Sequence, residues 1–478
     1  MKVLFAISEG EPFAKSGGLG DIGGSLPKAL NKRGVDVRVV MPKYSTIPRN
    51  LLEKVEPISE FKVELGWRKQ YCGLSQLIHE GIHYYFIDNE YYFKRDRLYG
   101  YEDDGERFAF FSAAVLESLI YPEGFKPEII HCHDWHTALV PLMLEERFRA
   151  DPFYYGLKTI FTIHNLQYQG LFSPFLADDL LGLGNNRRAR EALDFNQGIN
   201  FLKSALFYAD KITTVSPGYS REIQTEFFGE GLWEVIKMHQ GKLTGILNGI
   251  DYDSYNPLTD RELFINYRTS PVKKAGNKTA LQERLNLPIN KKVPMLALIG
   301  RLVTQKGLDL LIYILDDLLQ GELQLVILGT GEQQFETDLA YFAGLYPTKL
   351  SVNLVFDEAL ARKIYAAADI LLMPSLFEPC GLSQMIAMRY GTVPLVREVG
   401  GLKDSVKPYN EYTGEGNGFS FANYNAHDFL NTIRYALKIY YEQPSTWKKI
   451  VTNSQKEDLS WTNSADKYLE LYRQTVEA

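Results

Sequence analysis

The segment Lys15-Ser16-Gly17-Gly18-Leu19-Gly20-Asp21 puts an ammonium, a hydroxyl and several unencumbered backbone N–H groups into one loop. It follows an apolar run at residues 3–7 and precedes a helical pattern at 21–33. Glycines in such a loop let an anion approach the backbone, and the positive end of the next helix favours phosphate. Gly18, Gly20 and Gly23 also spell the dinucleotide pattern GxGxxG. The second strand, however, ends Val40-Met41-Pro42-Lys43 with no acidic residue for a ribose hydroxyl, and the loop lacks the GK[ST] ending of a P-loop. A nicotinamide cofactor is therefore not expected.

Four more clusters stand where short apolar runs end. His131-Cys132-His133-Asp134-Trp135-His136 offers imidazoles and a carboxylate, with His131 and His133 on one face by the strand period of two. Zinc would suit that donor set, but the order HxHDxH departs from the HxHxDH of metallo-hydrolases and distant histidines are scarce, so no metal is expected. Asp134 reads better as an acceptor for a substrate hydroxyl at a strand end. His164-Asn165 follows the next apolar run in the same way. In the second half, Arg301 and Lys306 follow a strand and supply a fork and a point charge for phosphate oxygens. Glu378-Pro379-Cys380-Gly381-Leu382-Ser383 follows another strand, with Glu378 beside an open helix start and Gly381 permitting close backbone approach. Cys380 has no local base and reads as a small buried side chain rather than a nucleophile.

Parallel strands must position these groups. Short apolar runs at 3–7, 35–41, 128–131, 159–163 and 211–216 alternate with helical stretches, and a second series runs through 295–300, 323–328, 354–356, 370–373 and 393–396, where it ends. That rhythm predicts two doubly wound α/β domains, with a polar, proline-bearing linker at about 248–292 and a terminal helix at 461–476. The expected division is 1–245, 246–455 and a final helical piece 456–478. The chain has 478 residues, against about 150 per domain, so two large domains replace an arithmetical three. The net charge of −7 argues against a duplex-binding protein. Three cysteines without a CxxC pair fit a reducing compartment, and no apolar stretch suits a signal peptide or a membrane span, so a cytoplasmic protein is expected. Aromatics reach 13%, a surplus that serves either cores or stacking surfaces for sugars and bases.

Taken in order, these motifs resemble those of the bacterial glycogen synthase and plant starch synthase family over essentially the whole chain. Lys15 to Leu19 is similar to its KTGGL signature with Ser16 for Thr, and the blocks at 131–136, 164–165, 247–251, 301–307 and 378–382 are similar to family blocks. The resemblance implies the GT-B architecture, two facing Rossmann-like domains with an interdomain cleft. It implies transfer of glucose from ADP-glucose to the non-reducing 4-OH of an α-1,4-glucan such as glycogen, with retention and without a metal or other cofactor.

By the same matching, Glu378, Arg301, Lys306 and His164 would be catalytic, with the backbone carbonyl of His164 facing the reacting centre. Lys15, Gly17, Gly18, Asp21, Asn248, Phe356, Cys380, Gly381, Leu382 and Ser383 would bind the donor, with Phe356 stacking on adenine. Tyr99, Asp134 and Asn165 would lie on the sugar and acceptor side. No nucleic acid or membrane partner is implied. UDP-glucose as donor, another acceptor, or a catalytically silent glucan-binding module are the competing readings.

Overall fold

The computed structural model describes residues 1–184 and 186–477. The chain divides into two compact units, Met1–Asn248 joined by the segment from Trp461 onward, and Gly249–Ser460. The boundaries thus fall three and five residues later than the pattern predicts. The final helix, Trp461–Glu477, starts where the sequence pattern places it and belongs to the first unit, while the final piece begins at Trp461 rather than at 456.

The first unit is built on a nine-stranded sheet. Its order is Leu243–Gly245, Lys211–Thr214, Lys158–Ile163, Ile129–His133, Lys2–Ala6, Asp36–Pro42, Ile82–Asp88, Arg68–His79 and Glu56–Leu65. The first seven are parallel, and Val3 to Ala6 is buried throughout, as expected of a strand covered on both faces. The last two form an antiparallel hairpin that the repeated strand–helix pattern did not reveal, so the sheet is mixed. Glu56–Leu65 is an edge strand in which polar residues interrupt the apolar ones and half of the ten residues are exposed, so it carries no continuous apolar run. Helix Gly18–Asn31 buries Ile22, Leu26, Ala29 and Leu30 along one stripe, and Gly34 at φ 81° turns the chain into the next strand.

The second unit carries a six-stranded, wholly parallel sheet in the order Leu350–Asn353, Gln324–Leu328, Met295–Ile299, Ile370–Met373, Val393–Arg397 and Phe419–Phe421. Its core is aliphatic, led by Leu311, Leu315 and Leu319 of helix Leu308–Leu319 against Leu296, Leu325 and Ile327 of the sheet.

Three expectations change in this unit. The strand expected at 354–356 is Leu350–Asn353, and Leu354, Val355 and Phe356 form an exposed apolar loop after it. The series does not end at Val396, because Phe419–Phe421 adds another strand. Within the stretch expected to be linker, Pro271–Arg284 is a helix started by the Ser270 cap and Pro271, and it buries Leu281 and Gln282.

Candidate active site

Both sheets reverse direction beside their first strand. In the first unit the chain builds outward from Lys2–Ala6 on one side and then restarts with Ile129–His133 on the other. In the second, the same break separates Met295–Ile299 from Ile370–Met373. Loops leaving the carboxyl ends of those two strands cannot cover the gap between them, which is where open α/β sheets bind ligands. The glycine loop and Asp134 leave one such pair of strands, and Arg301, Lys306 and Glu378 leave the other.

At the first of these points, Glu9 anchors the glycine loop. Its buried carboxylate accepts hydrogen bonds from the Ser16 backbone N–H (2.5 Å) and Ser16 Oγ (2.6 Å), and from Tyr99 Oη (2.8 Å), which also meets Ser8 Oγ at 2.8 Å. Ser16 therefore supports the loop through its hydroxyl, a role open to threonine as well. Lys15 Nζ sits 2.7 Å from Glu11 and 2.9 Å from Asp21. Burial disfavours its charge, but Asp21 and Glu11 outweigh that and hold its pKa above the usual lysine value. The glycines divide by task. A Cβ on Gly23 would come within 2.3 Å of the Glu9 carbonyl and one on Gly20 within 2.8 Å of Lys15, whereas Gly17 faces open space. Gly20 and Gly23 serve packing, and Gly17 leaves an approach to the backbone.

Asp134 leaves the strand at φ 57°, a conformation that disfavours a residue with a Cβ. Its N–H donates to the Thr162 carbonyl (3.0 Å) and its Oδ1 accepts from the His164 N–H (2.7 Å). Burial raises the Asp134 pKa to about 7 against the pull of the His164 and Asn165 N–H groups. Asn165 closes a local turn by accepting from the Gln167 N–H at 3.0 Å.

Four imidazoles crowd behind this loop. His131 bridges Tyr472 Oη (2.8 Å) and Thr162 Oγ1 (2.6 Å), and His133 Nδ1 meets His164 Nε2 at 2.9 Å. His136 stacks on Tyr99 with ring centroids 4.3 Å apart. Burial depresses all four pKa values, that of His164 to about 3, so the rings are neutral near pH 7. Buried polar atoms with no protein partner gather here too: His133 Nε2, both nitrogens of His136 and His164 Nδ1, with Asn248 Oδ1 further along the unit. Such atoms cost stability unless something hydrogen-bonds them. Among the described residues no group of three or more His, Cys, Asp and Glu is arranged to hold a metal.

At the second point, Lys306 Nζ lies 2.6 Å from Glu378 Oε2, which also accepts from Ser375 Oγ at 3.1 Å. Glu378 is 6% exposed, and Arg301, in the loop after Met295–Ile299, is exposed. Gly381 takes φ 71°, and a Cβ there would come within 2.5 Å of Gln384 Oε1. Leu382 and Ser383 begin the helix Ser383–Arg389, and Gln384 ties the turn by donating to the Cys380 and Gly381 carbonyls at 3.1 and 2.9 Å. Cys380 is buried and reduced. Phe356 stands 79% exposed, an uncovered ring just before the helix Glu358–Ala367.

Sequence reasoning missed Glu9, Gly400 and Gly401. Cβ atoms on the two glycines would come within 2.0 Å of the Glu378 carbonyl and 2.2 Å of the Cys380 carbonyl. Glycine alone therefore lets helix Gly400–Ser405 begin against the Glu378 loop. The signal was present, since Gly400-Gly401-Leu402 repeats the Gly17-Gly18-Leu19 of the first unit between a strand and a helix.

Two doubly wound units with anion-directed groups at each break in strand order define a glycosyltransferase of the GT-B class. Residues 2–238 match the starch synthase catalytic domain family, and residues 281–454 match glycosyl transferases group 1. The chain belongs to the bacterial glycogen synthase and starch synthase family. It is 53% identical over 473 residues to a glycogen synthase of Desulfitobacterium hafniense, covering 99% of this chain and 98% of that one. It is 52% identical over 478 residues to a glycogen synthase of Geobacillus stearothermophilus, covering 100% and 98%. Among solved structures, the catalytic domain of starch synthase IV from Arabidopsis thaliana bound to ADP and acarbose is similar at a TM-score of 0.92 and 34% identity, covering 100% and 99% of the two chains. No helix among the described residues is long and apolar enough to cross a membrane.

Proposed function

We propose that this glycosyltransferase moves glucose from ADP-glucose to the non-reducing 4-OH of an α-1,4-glucan, with retention at the anomeric carbon. The observation that carries the reading is the Lys306–Glu378 pair, 2.6 Å apart after the break in the second sheet, with Gly400 packed against the Glu378 backbone. Its support from relatives is their description as glycogen synthases and the ADP and acarbose bound by the starch synthase neighbour.

The reaction breaks the bond from the anomeric carbon to the diphosphate and forms one to the acceptor oxygen. Negative charge develops on the departing ADP, so fixed positive groups lower the barrier. Arg301 and Lys306 take that role, aided by backbone N–H groups at Gly381, Leu382 and Ser383 and at Gly17 and Gly18. The Glu378 carboxylate stabilises the positive charge that grows on the anomeric carbon. Retention brings the acceptor oxygen in on the face the diphosphate leaves, and its proton passes to the departing oxygen. Asp134, His164, Asn165 and Tyr99 hold sugar hydroxyls. Phe356 stacks on adenine, and its missing hydroxyl relative to tyrosine costs one hydrogen bond. Lys15 is kept charged by Asp21, Asn248 offers its unpartnered Oδ1, and Cys380 lines the donor turn without reacting.

No resident metal is needed in this scheme. Purified protein given glycogen and equal concentrations of ADP-glucose or UDP-glucose should release ADP much faster than UDP, and EDTA should leave the rate unchanged. Preference for UDP-glucose, or loss of the rate on chelation with recovery on adding a divalent cation, would overturn the respective parts. Absence of any turnover would favour a silent glucan-binding module.

A further inference from the structure

The second sheet is wholly parallel, so its strands all end on the edge that carries Arg301, Lys306 and Glu378. One further cation on that edge has no part in the chemistry proposed above. Arg397 is the last residue of Val393–Arg397, level with Phe421 on one side and one residue beyond the Met373–Val396 pair on the other. From there its half-buried guanidinium reaches both neighbouring loops. Nη1 donates to the Leu376 carbonyl at 2.6 Å and to the Ser375 carbonyl at 3.3 Å, and Nε donates to the Ala422 carbonyl at 3.2 Å. The guanidinium carbon lies 5.3 Å from the Tyr424 ring centroid, and Tyr424 Oη donates to Asp309 Oδ1 at 2.5 Å. Asp309 lies in the first turn of the helix that follows Lys306. A planar fork holds carbonyls of two segments at once, which one ammonium on a flexible stem does not.

The segment so held carries Glu378. Residues 374–382 run from Ile370–Met373 to Ser383–Arg389 without regular structure, so individual contacts must fix them. One flank is tied to the Lys306 loop. There the Leu376 N–H donates to the Gln305 carbonyl at 2.9 Å, and Gln305 Nε2 donates to the Phe377 carbonyl at 3.3 Å. The two loops lie so close that a Cβ on Gly307 would come within 2.1 Å of the Pro374 carbonyl. Arg397 holds the other flank. Ser375, whose carbonyl it binds, donates its Oγ to Glu378 Oε2 at 3.1 Å, so one residue links the clamp to the carboxylate.

We propose that Arg397 is a positioning residue for Glu378, clamping the Ser375 and Leu376 carbonyls so that Ser375 and Lys306 meet the carboxylate in one fixed geometry. The inference rests on the part given to Glu378 in the glucosyl transfer proposed above. Arg397 acts through Glu378 and not on the donor. Its loss displaces the carboxylate from the anomeric carbon and leaves the affinity for ADP-glucose in place. A misplacement of about 1 Å costs a reacting group up to roughly 100-fold in rate, and with Lys306 still paired to Glu378 the loss should be about tenfold.

The test is a double-mutant cycle on the full chain, read as steady-state turnover of ADP-glucose with glycogen. Arg397→Met should lower kcat about tenfold with KM for ADP-glucose within about twofold of wild type, and Arg397→Lys should fall between the two. In a Glu378→Gln background the same Arg397→Met change should lower kcat by less than about twofold, because no carboxylate charge is left to position. A general loosening of the unit would instead cost the full factor in both backgrounds, and that result overturns the proposal. Unchanged kcat in Arg397→Met overturns it too, as does a large rise in KM alone, which would put Arg397 on the donor. Should Arg397→Met fail to fold by circular dichroism, Arg397→Lys is taken through the same cycle and decides. Failure of the clamp and failure of the reaction are separable. Full turnover in Glu378→Gln alone removes Glu378 from the chemistry and the clamp with it, whereas a loss there with an additive loss from Arg397→Met sinks the clamp alone.

Discussion

Glu378 shows how one side chain's neighbours set its use. Its carboxylate is buried, paired with Lys306 and hydrogen-bonded to Ser375, so its position is over-determined before any donor arrives. Glu378→Gln keeps an acceptor for Ser375 and the side chain's volume while removing the charge. It should lower kcat by about 100-fold or more with little change in thermal midpoint, the scale expected for losing one electrostatic stabiliser. Retention of full turnover would remove Glu378 from the chemistry. The imidazoles make a separate, pH-dependent prediction. His131, His133, His136 and His164 have folded pKa values below their usual 6.5, so the folded state binds fewer protons than the unfolded one as pH falls below that value. Their contribution is present above pH 6.5 and lost on acidification. Asp134, raised from 3.8 to about 7, acts oppositely, its contribution being present below about pH 4 and lost as pH rises through 7. Four groups outweigh one, so the thermal midpoint should fall between pH 7 and pH 5. A flat or rising midpoint over that window would contradict the buried, neutral assignment.

Individual loops and helices are where glycine's two tasks separate. Gly17 has open space and an extended backbone at φ −167°, whereas Gly23 lies against the Glu9 carbonyl. Gly17→Ala should fold with a midpoint near wild type and raise KM for the nucleotide sugar, since the added methyl would stand in the open space proposed for the donor. Gly23→Ala must move the helix or the loop and should cost about 1–3 kcal/mol in denaturant unfolding, the range for overpacking. Equal effects of both substitutions on stability would dissolve the distinction. In the sequence, Gly18, Gly20 and Gly23 look like one motif. The structure assigns at least Gly20 and Gly23 to holding the helix against its own loop, because spacing records which residues lack a side chain but not what lies opposite them.

Across the whole molecule, the terminal helix completes a unit that begins almost 460 residues earlier. Tyr468, Leu471 and Tyr472 are buried in the first unit, Arg33 binds Asp466 through Nε at 2.7 Å, and Tyr472 supplies the partner of His131. Truncation after Ser460 should destabilise the first unit by roughly 5 kcal/mol or more, from the apolar burial of three large side chains alone. It should also leave His131 Nδ1 without its tyrosine. A truncated chain as stable as wild type to denaturant would show that the helix is dispensable. The net charge of −7 also takes on a local meaning at this scale: the proposed handling of an anionic donor falls to Lys15, Arg301 and Lys306 within an acidic chain.

The candidate site groups stand out locally in the sequence. Strand ends announce themselves by short apolar runs stopping at glycine and charged residues, and a parallel sheet gathers those ends on one edge. That is why Asp134, His164, Arg301, Lys306 and Glu378 could be named from type and position. The parallel strands and the terminal helix were legible for the same reason, burial on both faces or along one stripe. What the chain order could not supply were contacts between segments far apart in sequence. The Glu9–Ser16–Tyr99 network, the seat of Gly400 and Gly401 on the Glu378 loop, the mismatch between apolar 354–356 and its exposure, and the polar edge hairpin depend on which backbone passes within a few ångströms of which side chain. Local pattern encodes burial and backbone preference, which are properties of neighbours along the chain. Only folding decides the company a residue keeps across it, and here that company determined which glycines pack, which carboxylate is held in place and which aromatic ring stays in solvent.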